Sequence, residues 1–384
     1  MSGAADDVSA KRRPSRWHGP FWWLNGLAVI ALLLAYLSIH ISPRTFWPIA
    51  FFGMAYPFIL GANVLFLLWW AIFRRKRMIP SLVAMLLGWG HVGQYIQLMG
   101  HRDQPKDVNA PFKVMSWNVR IFDLYNWNHN KRTREEMLDL IRVEDPDILC
   151  MQEFLNEDKG EELPVRELLL KDYRFTHSAE EYTAHTRSGH HFGIATFSTR
   201  PIVAKGAIHF PDDLNNLCLW TDIQMGGDTV RVYNAHLASL RFGRADYRFM
   251  EEVGQGESQP DLGTGGRRIA RRLKSGFQRR AMQTEAIVEH MRTSPHPVIW
   301  GGDMNDAPMS YSYHQLRELG LEDAFVESGR GVGHTYIGAF PSFRIDHILR
   351  GPELRSWAFQ TLPDELSDHR PITCWMGLQA PSSP

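Results

Sequence analysis

Cysteine is scarce in this chain, and neither sign of charge is in excess. Only three of the 384 residues are cysteines, and they lie far apart in apolar stretches typical of strands. This spacing excludes a disulfide framework and a cysteine-based zinc site, so we expect three buried free thiols: Cys150, Cys218 and Cys374. Lys+Arg and Asp+Glu both number 42, so net charge indicates no class of partner.

Acidic residues are almost absent from the first hundred positions, where three long apolar runs occur. The runs occupy residues 21–41, 46–73 and 79–99. About 20 apolar residues cross the hydrocarbon core of a bilayer as a helix, so we predict three transmembrane helices. The third run is interrupted by His91, Gln94 and Gln97, and a helix lying on the membrane surface is its alternative structure.

Basic residues are unevenly distributed around these runs. The N-terminal tail 1–20 and the loop 74–77 are rich in Lys and Arg, whereas the loop after the first run carries only Arg44. Because positively charged loops stay in the cytoplasm, the tail and 74–77 are predicted to lie inside. The sequence therefore predicts a multi-pass protein of the inner or plasma membrane whose C-terminal domain is extracytoplasmic. If 79–99 does not span, that domain is cytoplasmic.

The composition changes after a polar segment with two prolines, residues 101–111, which we interpret as a linker. Residues 112–377 alternate short β-type runs with helical segments, and residues 378–384 form a short tail. The strands are too numerous for a helix bundle and too mixed with helices for an all-β sandwich. The predicted fold class is α/β or α+β, with sheets between helices. Residues 240–266 are polar and irregular and predict a long surface loop.

One apolar strand signal, residues 298–300, is followed by two glycines and then by Asp303 and Asn305. In an extended segment residues two apart point to the same side, so this carboxylate and this amide would face one ligand. Taken alone, the pattern is equally typical of a turn.

Polar side chains also end the other predicted strands. Ligands gather at strand ends in layered α/β folds, and six strand ends with polar groups are difficult to attribute to turns alone. The candidate residues are Asn118, Glu153, Asn234, His236, Asp303, Asn305, Asp346, Asp368 and His369.

The motifs around these residues resemble those of the endonuclease/exonuclease/phosphatase superfamily. In order they read S-W-N-V, D-I-L-C-M-Q-E, N-A-H-L, G-G-D-M-N, R-I-D-H-I-L and S-D-H-R-P-I, and they cover residues 112–376. The resemblance implies a four-layer α-β-β-α sandwich and metal-dependent phosphoester hydrolysis. The membrane region lies outside the resemblance.

The resemblance implies that Glu153 is the main Mg²⁺ ligand, with Asn118 and Asp368 close by. Mn²⁺ is the alternative ion. A hard cation held by few carboxylates keeps water positions open for phosphate oxygens, which suits Mg²⁺. The scarcity of cysteine and the scattered histidines argue against a closed zinc site.

The resemblance also implies roles in proton transfer. Asp303 and Asn305 would orient or deprotonate the attacking water. His369, paired with Asp346, would contact the scissile phosphate, and His236 would be the second active-site histidine. A carboxylate beside His369 would fix its tautomer and raise its pKa, which favours a cation that stabilises a developing oxyanion.

The sequence indicates the substrate less clearly than it indicates the type of reaction. Residues 343–347 lack the tryptophan-cysteine-aspartate-arginine run of the 5-phosphatase branch, which argues against that branch. Residues 267–280 contain seven cations and no acid, with an apolar stripe of Ile269, Leu273 and Phe277. This segment can bind a nucleic-acid backbone, lie on an anionic membrane surface, or form the solvent-exposed face of a packed helix. We predict substrate binding by Arg271, Arg272 and Asn234.

Taken together, these features predict a membrane-anchored phosphodiesterase acting on a lipid or another surface-associated phosphodiester. One alternative is a membrane-tethered nuclease acting on DNA or RNA. Another is an inactive binding module, although the intact set of candidate ligands argues against it. The expected partners are the bilayer and the phosphoester substrate, and the sequence indicates no obligate protein partner.

Overall fold

The structure is a computed structural model that describes residues 18–158, 164–255, 262–338 and 343–380. Most of the predicted tail 1–20 and the end of the predicted tail 378–384 lie outside the described residues.

The N-terminal region consists of helices and short turns. The helices are α1 His18–Ser38, α2 Pro43–Phe46, α3 Pro48–Met54, α4 Tyr56–Phe73, α5 Ile79–Leu87 and α6 Trp89–Val92, with a 3₁₀ turn at Arg75–Met78. Prolines in the first turns of α2, α3, α4 and α5 fit positions where the backbone N–H has no helical partner. Within the described residues, α1 and α4 are the two helices long and apolar enough to cross a membrane.

The third apolar run does not form one helix. α5 ends before Gly88, and α6 is only four residues long. A side chain at position 88 would collide with the ring of Tyr36, so glycine here permits a close approach that interrupts the helix. The prediction of a single transmembrane helix over 79–99 is therefore wrong. The second predicted helix, 46–73, is likewise divided at Ala55.

The N-terminal helices bury polar side chains and expose apolar ones. α1 and α4 are antiparallel, and Asn63 Nδ2 donates to Ala28 O at 2.9 Å. Asn25 Nδ2 donates to Ser81 Oγ of α5 at 2.6 Å, and all three polar side chains are buried. The outward side chains are large and apolar, among them Trp23, Leu27, Leu65, Ile72 and Leu87.

The rest of the chain forms two six-stranded sheets, a two-stranded sheet and the covering helices. The strands are β1 Ile96–Gln97, β2 Val108–Asn118, β3 Ile148–Glu157, β4 His177–His185, β5 His190–Ser198, β6 Ile202–His209, β7 Leu217–Met225, β8 Asp228–His236, β9 Val298–Asp303, β10 Glu322–Asp323, β11 Gly331–Val332, β12 Asp346–Arg350, β13 Leu354–Thr361 and β14 Ile372–Gln379. The helices are α7 Thr133–Glu144, α8 Val165–Asp172, α9 Arg244–Gln255, α10 Leu262–Arg292, α11 Tyr311–Glu318 and α12 Ala324–Ser328, with a 3₁₀ turn at Arg120–Asp123.

The two large sheets pack face to face. Their strand orders are β13-β14-β2-β3-β5-β4 and β10-β12-β9-β8-β7-β6. Apolar residues between the sheets, such as Val114, Val232 and Ile299, are fully buried. α7 and α8 cover the outer face of the first sheet, and α10 and α11 cover that of the second. The predicted four-layer α-β-β-α sandwich is confirmed. The three cysteines, all in described strands, are buried free thiols as predicted.

Each sheet contains one parallel pair of strands, and these pairs position the candidate site. β2 and β3 are parallel, and Asn118 lies opposite Gln152, next to Glu153. β8 and β9 are parallel, and His236 lies opposite Asp303. Because parallel strands end at the same edge, these polar residues meet at one end of the sandwich.

Two predicted irregular segments contain regular structure. β2 begins at Val108, inside the predicted linker 101–111, and pairs there with Gln379 of β14. The predicted loop 240–266 contains α9, and α10 begins at Leu262 rather than at 267. The sequence boundaries were wrong at both places because tertiary pairing and packing extend these elements.

Candidate active site

Two residues of the site have left-handed backbone conformations. Glu153 has φ +48° at an irregularity between Met151 and Phe154, where the pairing of β3 with β5 shifts register. Such a bulge redirects a side chain, and the Glu153 side chain lines the central cavity. Asn305 has φ +52°, a conformation that asparagine tolerates better than most residues.

The Asp303 carboxylate lies at the centre of the site and is 1% exposed. Asn118 Nδ2 donates to its Oδ2 at 3.0 Å, and the backbone N–H of Asn305 donates to its Oδ1 at 2.8 Å. Asn305 Nδ2 also donates to Oδ2 at 3.1 Å. Burial raises the pKa of Asp303 to about 6, although nearby His369 and His236 act in the opposite direction. The group is therefore able to exchange a proton near neutral pH.

His369 is oriented by a second buried carboxylate. Its Nδ1 lies 2.9 and 3.1 Å from the two carboxylate oxygens of Asp346, as expected for an Nδ1–H donor. Its Nε2 then faces the cavity, 3.7 Å from Asp303 Oδ2. Burial alone would lower the pKa of His369, but Asp346 and Asp303 outweigh it and hold the pKa well above its usual value. The predicted pairing of these two residues is present.

His236 is the second histidine beside Asp303, and it approaches the same carboxylate oxygen as His369. Its Nε2 lies 3.6 Å from Asp303 Oδ2 and 3.7 Å from Glu153 Oε1. Burial lowers the pKa of His236, with Asp303 acting against that shift. The neutral form is thus favoured for His236 and the protonated form for His369, so the two histidines are chemically distinct.

Two of the three residues predicted to hold a metal line the same cavity, and the third lies beside them. Asn118 Nδ2 lies 3.3 Å from Glu153 Oε1, and both Glu153 and Asp368 line the cavity. Burial raises the pKa of Glu153, and the Asp368 carboxylate adds to the increase. The two carboxylates are hard oxygen donors that fit a divalent cation such as Mg²⁺. The side-chain oxygen of Asn118 accepts from the backbone N–H of Arg120 at 3.1 Å. Arg120 Nε, 3.5 Å from Asp368 Oδ2, partly balances the negative charge.

The cavity has a volume of about 260 Å³ and includes residues that the sequence did not single out. Arg280 is 1% exposed and donates to the carboxylate of Asp306 at 3.1 Å. Asp306 directly follows Asn305 in the chain. Arg241 also lines the cavity, and the Tyr336 ring packs against His369 with ring centroids 5.2 Å apart. Arg280 belongs to the basic run noted in the sequence, but only the fold distinguishes this buried arginine from its exposed neighbours.

Three residues predicted to bind substrate lie elsewhere. Asn234 is fully buried between the sheets, where it accepts from Gln152 Nε2 at 2.7 Å and donates to Ala195 O at 2.8 Å. Arg272 pairs with Asp246 at 2.7 Å, and Arg271 is exposed on α10. None of the three is among the described residues that line the cavity. Substrate contact by Arg271 and Arg272 outside the cavity stays a prediction, whereas the Asn234 amide is engaged within the core.

Comparison with models of known sequence families identifies the family of this chain. The sequence model of the endonuclease/exonuclease/phosphatase family matches residues 115–369, more than half of the chain. The chain belongs to this family. Members of the family are generally hydrolases that act on phosphoesters. Residues 19–95 match a model described as a domain of unknown function, and no curated protein matches the chain.

Solved structures share the fold at low sequence identity. The chain is similar to an endonuclease/exonuclease/phosphatase from Beutenbergia cavernae, with TM-score 0.50 and 18% identity, over 72% of this chain and 74% of that one. It is also similar to the human Nocturnin catalytic domain with a bound sulfate anion, with TM-score 0.50 and 18% identity, over 71% of this chain and 96% of that one. At this identity the likenesses show a shared fold.

Proposed function

We propose that this protein is a membrane-anchored, Mg²⁺-dependent phosphodiesterase whose substrate is a lipid or another surface-associated phosphodiester. The observation that carries the proposal is the placement of His369 Nε2 and Asp303 Oδ2 3.7 Å apart, facing a cavity that Glu153 and Asp368 also line. A cationic donor, a potential base and two carboxylates suited to hold a cation around one cavity support this proposal.

The residues divide the chemistry among them. Glu153 and Asp368, with Asn118 beside them, would hold the Mg²⁺, which supplies neutralisation of phosphate charge when bound. Asp303, positioned by hydrogen bonds from Asn118 and Asn305, is suited to accept a proton from an attacking water. The protonated imidazole of His369 is suited to donate a hydrogen bond to a phosphate oxygen as negative charge develops.

Membrane anchoring is supported by the dimensions and surface of the N-terminal helices. α1, with 21 residues, is about 30 Å long at 1.5 Å per residue, which matches the hydrocarbon core of a bilayer. Its outward residues are apolar, and its polar Asn25 is buried against Ser81. A helix group with apolar exterior and hydrogen-bonded polar interior suits lipid surroundings better than water.

The path of residues 79–95 supports an extracytoplasmic active site even though they do not form one helix. Near the start of α1, Ser81 contacts Asn25. Near the end of α1, Tyr36 Oη donates to the backbone carbonyl of Ala84 at 3.2 Å. Later in the chain, the Tyr95 hydroxyl accepts from the backbone N–H of Met309 in the catalytic domain at 3.1 Å. The chain thus returns along α1 from the basic loop 74–77 to the catalytic domain. The positive-inside rule then favours a cytoplasmic basic loop and a catalytic domain on the other side.

A nuclease is the second candidate function. It is favoured by the exposed cations Arg267, Arg271 and Lys274 on α10, which form a surface that a nucleic-acid backbone can contact. These exposed cations lie outside the cavity, so they would add binding energy rather than act on the phosphate.

The decisive experiment measures hydrolysis of bis(p-nitrophenyl) phosphate by the full-length protein in nanodiscs, with Mg²⁺ and with EDTA. We expect Mg²⁺-dependent turnover that His369→Gln lowers roughly 10²-fold. Folded wild-type protein with no turnover on this diester would indicate a binding module instead. A panel of nanodisc phospholipids, single-stranded DNA and RNA then separates the lipid phosphodiesterase from the nuclease, because each predicts its own preferred substrate.

A further inference from the structure

The N-terminal helices are docked onto the catalytic domain through specific polar contacts. Arg44 Nη1 pairs with Glu285 Oε2 of α10 at 2.7 Å. Arg344 Nη2 donates to the backbone carbonyl of Gln94 at 2.8 Å, and β1 pairs with β11. Because these contacts come from several segments of the N-terminal region, the catalytic domain has a defined orientation relative to α1 and α4.

This docking makes the N-terminal region part of the active-site wall. Met54, the last residue of α3, lines the catalytic cavity together with Glu153 and His369. The Phe58 ring of α4 packs edge-on against Phe343, another lining residue, with ring centroids 6.3 Å apart. α2 and α3 connect the end of α1 to the start of α4. If α1 and α4 span the bilayer, the cavity therefore lies at its surface.

An apolar groove of about 560 Å³ lies beside the catalytic cavity, between the N-terminal region and the α9–α10 pair. Its walls include Trp47, Phe51, Phe52, Phe249, Ile269 and Leu273. The apolar stripe noted in the basic segment of α10 thus contributes two residues to this groove. Its volume falls within the range of roughly 300–1,000 Å³ found for sites that hold small organic molecules.

The groove and the catalytic cavity are lined by residues of the same two helices. On α3, Met54 lines the cavity, and Phe51, one helical turn earlier, lines the groove. On α9, Tyr247 lines the cavity, and Phe249 and Met250 line the groove. A ligand with a phosphate in the cavity and an extended apolar chain would therefore find an apolar surface directly beside the phosphate.

Charge at the junction matches this division between a polar and an apolar end. Arg241 lines the catalytic cavity, and its side chain is 36% exposed. Arg272, on the same helix as the groove residue Leu273, lies next to Gly243 of the loop that follows Arg241. Arg241 also pairs with Asp213, and Arg272 pairs with Asp246. The partly exposed Arg241 at the cavity suits an anionic headgroup, whereas the groove itself suits hydrocarbon.

We propose that this groove binds one acyl chain of a membrane phospholipid while the phosphodiester of the same lipid lies in the catalytic cavity. The proposal rests on the proposed phosphodiesterase function and specifies its substrate class. The N-terminal helices then act as more than an anchor, because α3 forms one wall of the acyl site.

The test uses full-length protein in nanodiscs of phosphatidylcholine and phosphatidylglycerol, with variants that fill the groove. Gly266 and Ala270 line the groove, and a Cβ at Gly266 would meet nothing within 4 Å, so Gly266→Trp and Ala270→Trp introduce bulk there. Ala286→Trp is the matched control, because Ala286 is exposed on the same helix. The circular dichroism spectrum and thermal unfolding midpoint of each variant identify any that fail to fold.

The first measurement compares two substrates for each variant: the nanodisc phospholipid and water-soluble bis(p-nitrophenyl) phosphate. We expect both groove variants to lower kcat/KM for the phospholipid by roughly tenfold or more, because binding of the remote chain is lost. Hydrolysis of the soluble diester should stay within about twofold of wild type, since the chemical groups are untouched. The control variant should resemble wild type on both substrates. Equal effects on both substrates, or none on either, would overturn the groove proposal while leaving the phosphodiesterase function standing.

The second measurement does not depend on catalysis. A phosphatidylcholine with a diazirine in one acyl chain is incorporated into the nanodiscs, photolysed in EDTA, and the labelled peptides are identified by mass spectrometry. We expect label on the peptides that contain Phe51 and Leu273, with loss of that label in Gly266→Trp and its retention in Ala286→Trp. If the protein hydrolyses no diester, the proposed function fails, yet this labelling still decides whether the groove holds a lipid chain. Unlabelled groove peptides in the wild-type protein would overturn the acyl site.

Discussion

At the scale of single residues, the site combines groups whose environments shift their pKa values for opposite chemical tasks. Asp303 has its pKa raised to about 6 by burial, so its base form predominates only above that pH. His369 has its pKa held well above the usual value by Asp346 and Asp303, which outweigh burial, so its acid form persists through neutral pH. Both working forms coexist in the interval between the two pKa values, which predicts activity there.

The first prediction concerns this pH dependence. kcat/KM for a soluble diester should rise with pH up to about 6, because Asp303 must lose its proton to act as a base. It should fall again at alkaline pH as His369 loses its proton. Asp303→Asn should lower turnover roughly 10²-fold and remove the acid limb, and His369→Gln should remove the alkaline limb. An unchanged acid limb in Asp303→Asn would show that another group titrates there.

The second prediction concerns the metal. Glu153 is the carboxylate that the β3 bulge directs into the cavity, so Glu153→Gln should lower turnover by about 10²-fold or more and raise the Mg²⁺ concentration needed for half-maximal activity. Titration of activity with Mg²⁺ measures both effects. Glu157→Gln on the same strand is the control. Normal turnover and normal Mg²⁺ dependence in Glu153→Gln would contradict this assignment.

At the scale of elements, α10 combines a basic surface with a buried structural arginine. Arg268 and Arg272 pair with Asp246, and Arg280 pairs with Asp306 in the interior. Arg271 is exposed on the opposite side of the same helix. The positions of these arginines around the helix axis therefore differ in function. Exposed arginines are free to contact polyanions, whereas the buried, paired Arg280 holds α10 against the site.

The third prediction follows from this separation. Arg280→Ala should destabilise the catalytic domain by about 3–5 kcal/mol, because Asp306 would remain as an unpaired buried carboxylate. Arg271→Ala should change stability by less than about 0.5 kcal/mol, since its side chain is exposed. Thermal unfolding midpoints in one detergent compare the two. Similar midpoints for the two variants would show that the Arg280–Asp306 ion pair contributes little to stability.

At the scale of the whole molecule, the contacts that dock the N-terminal helices also fix the position of the catalytic domain relative to them. Arg77 lies over the rings of Trp22 and Trp70 at one end of α1 and α4, whereas Met309 of the catalytic domain contacts Tyr95 at the other end. The basic loop and the catalytic domain therefore lie at opposite ends of the helix group, which is the arrangement that the proposed topology requires.

The fourth prediction tests this topology. A reporter that is active only outside the cytoplasm should be active when fused after Pro384 and silent when fused after Arg77, because basic loops remain inside. A cytoplasm-specific reporter at the same two positions is the control and should give the reverse pattern. Cytoplasmic activity at Pro384 would place the active site, and hence its substrate, in the cytoplasm.

The sequence by itself determined the class of fold and the main site residues. Apolar runs that end in Asn118, Glu153 and Asp303, and the turn before the last strand that carries His369, could be identified because strand length and turn chemistry are local properties of the chain. Their order along the sequence also carried the family resemblance. The buried cysteines followed from the same local patterns.

Only the tertiary structure decided which of these residues share a cavity and which do not. Asn234 precedes His236 on the same strand, but its position between the sheets gives it buried amide partners instead of a ligand. Arg280 and Arg271 belong to one basic run, and the rotation of α10 buries the first and exposes the second. Likewise, the close approach of Tyr36 at Gly88 divides the third apolar run. Each outcome depends on contacts between residues distant in sequence, which hydrophobic periodicity does not encode.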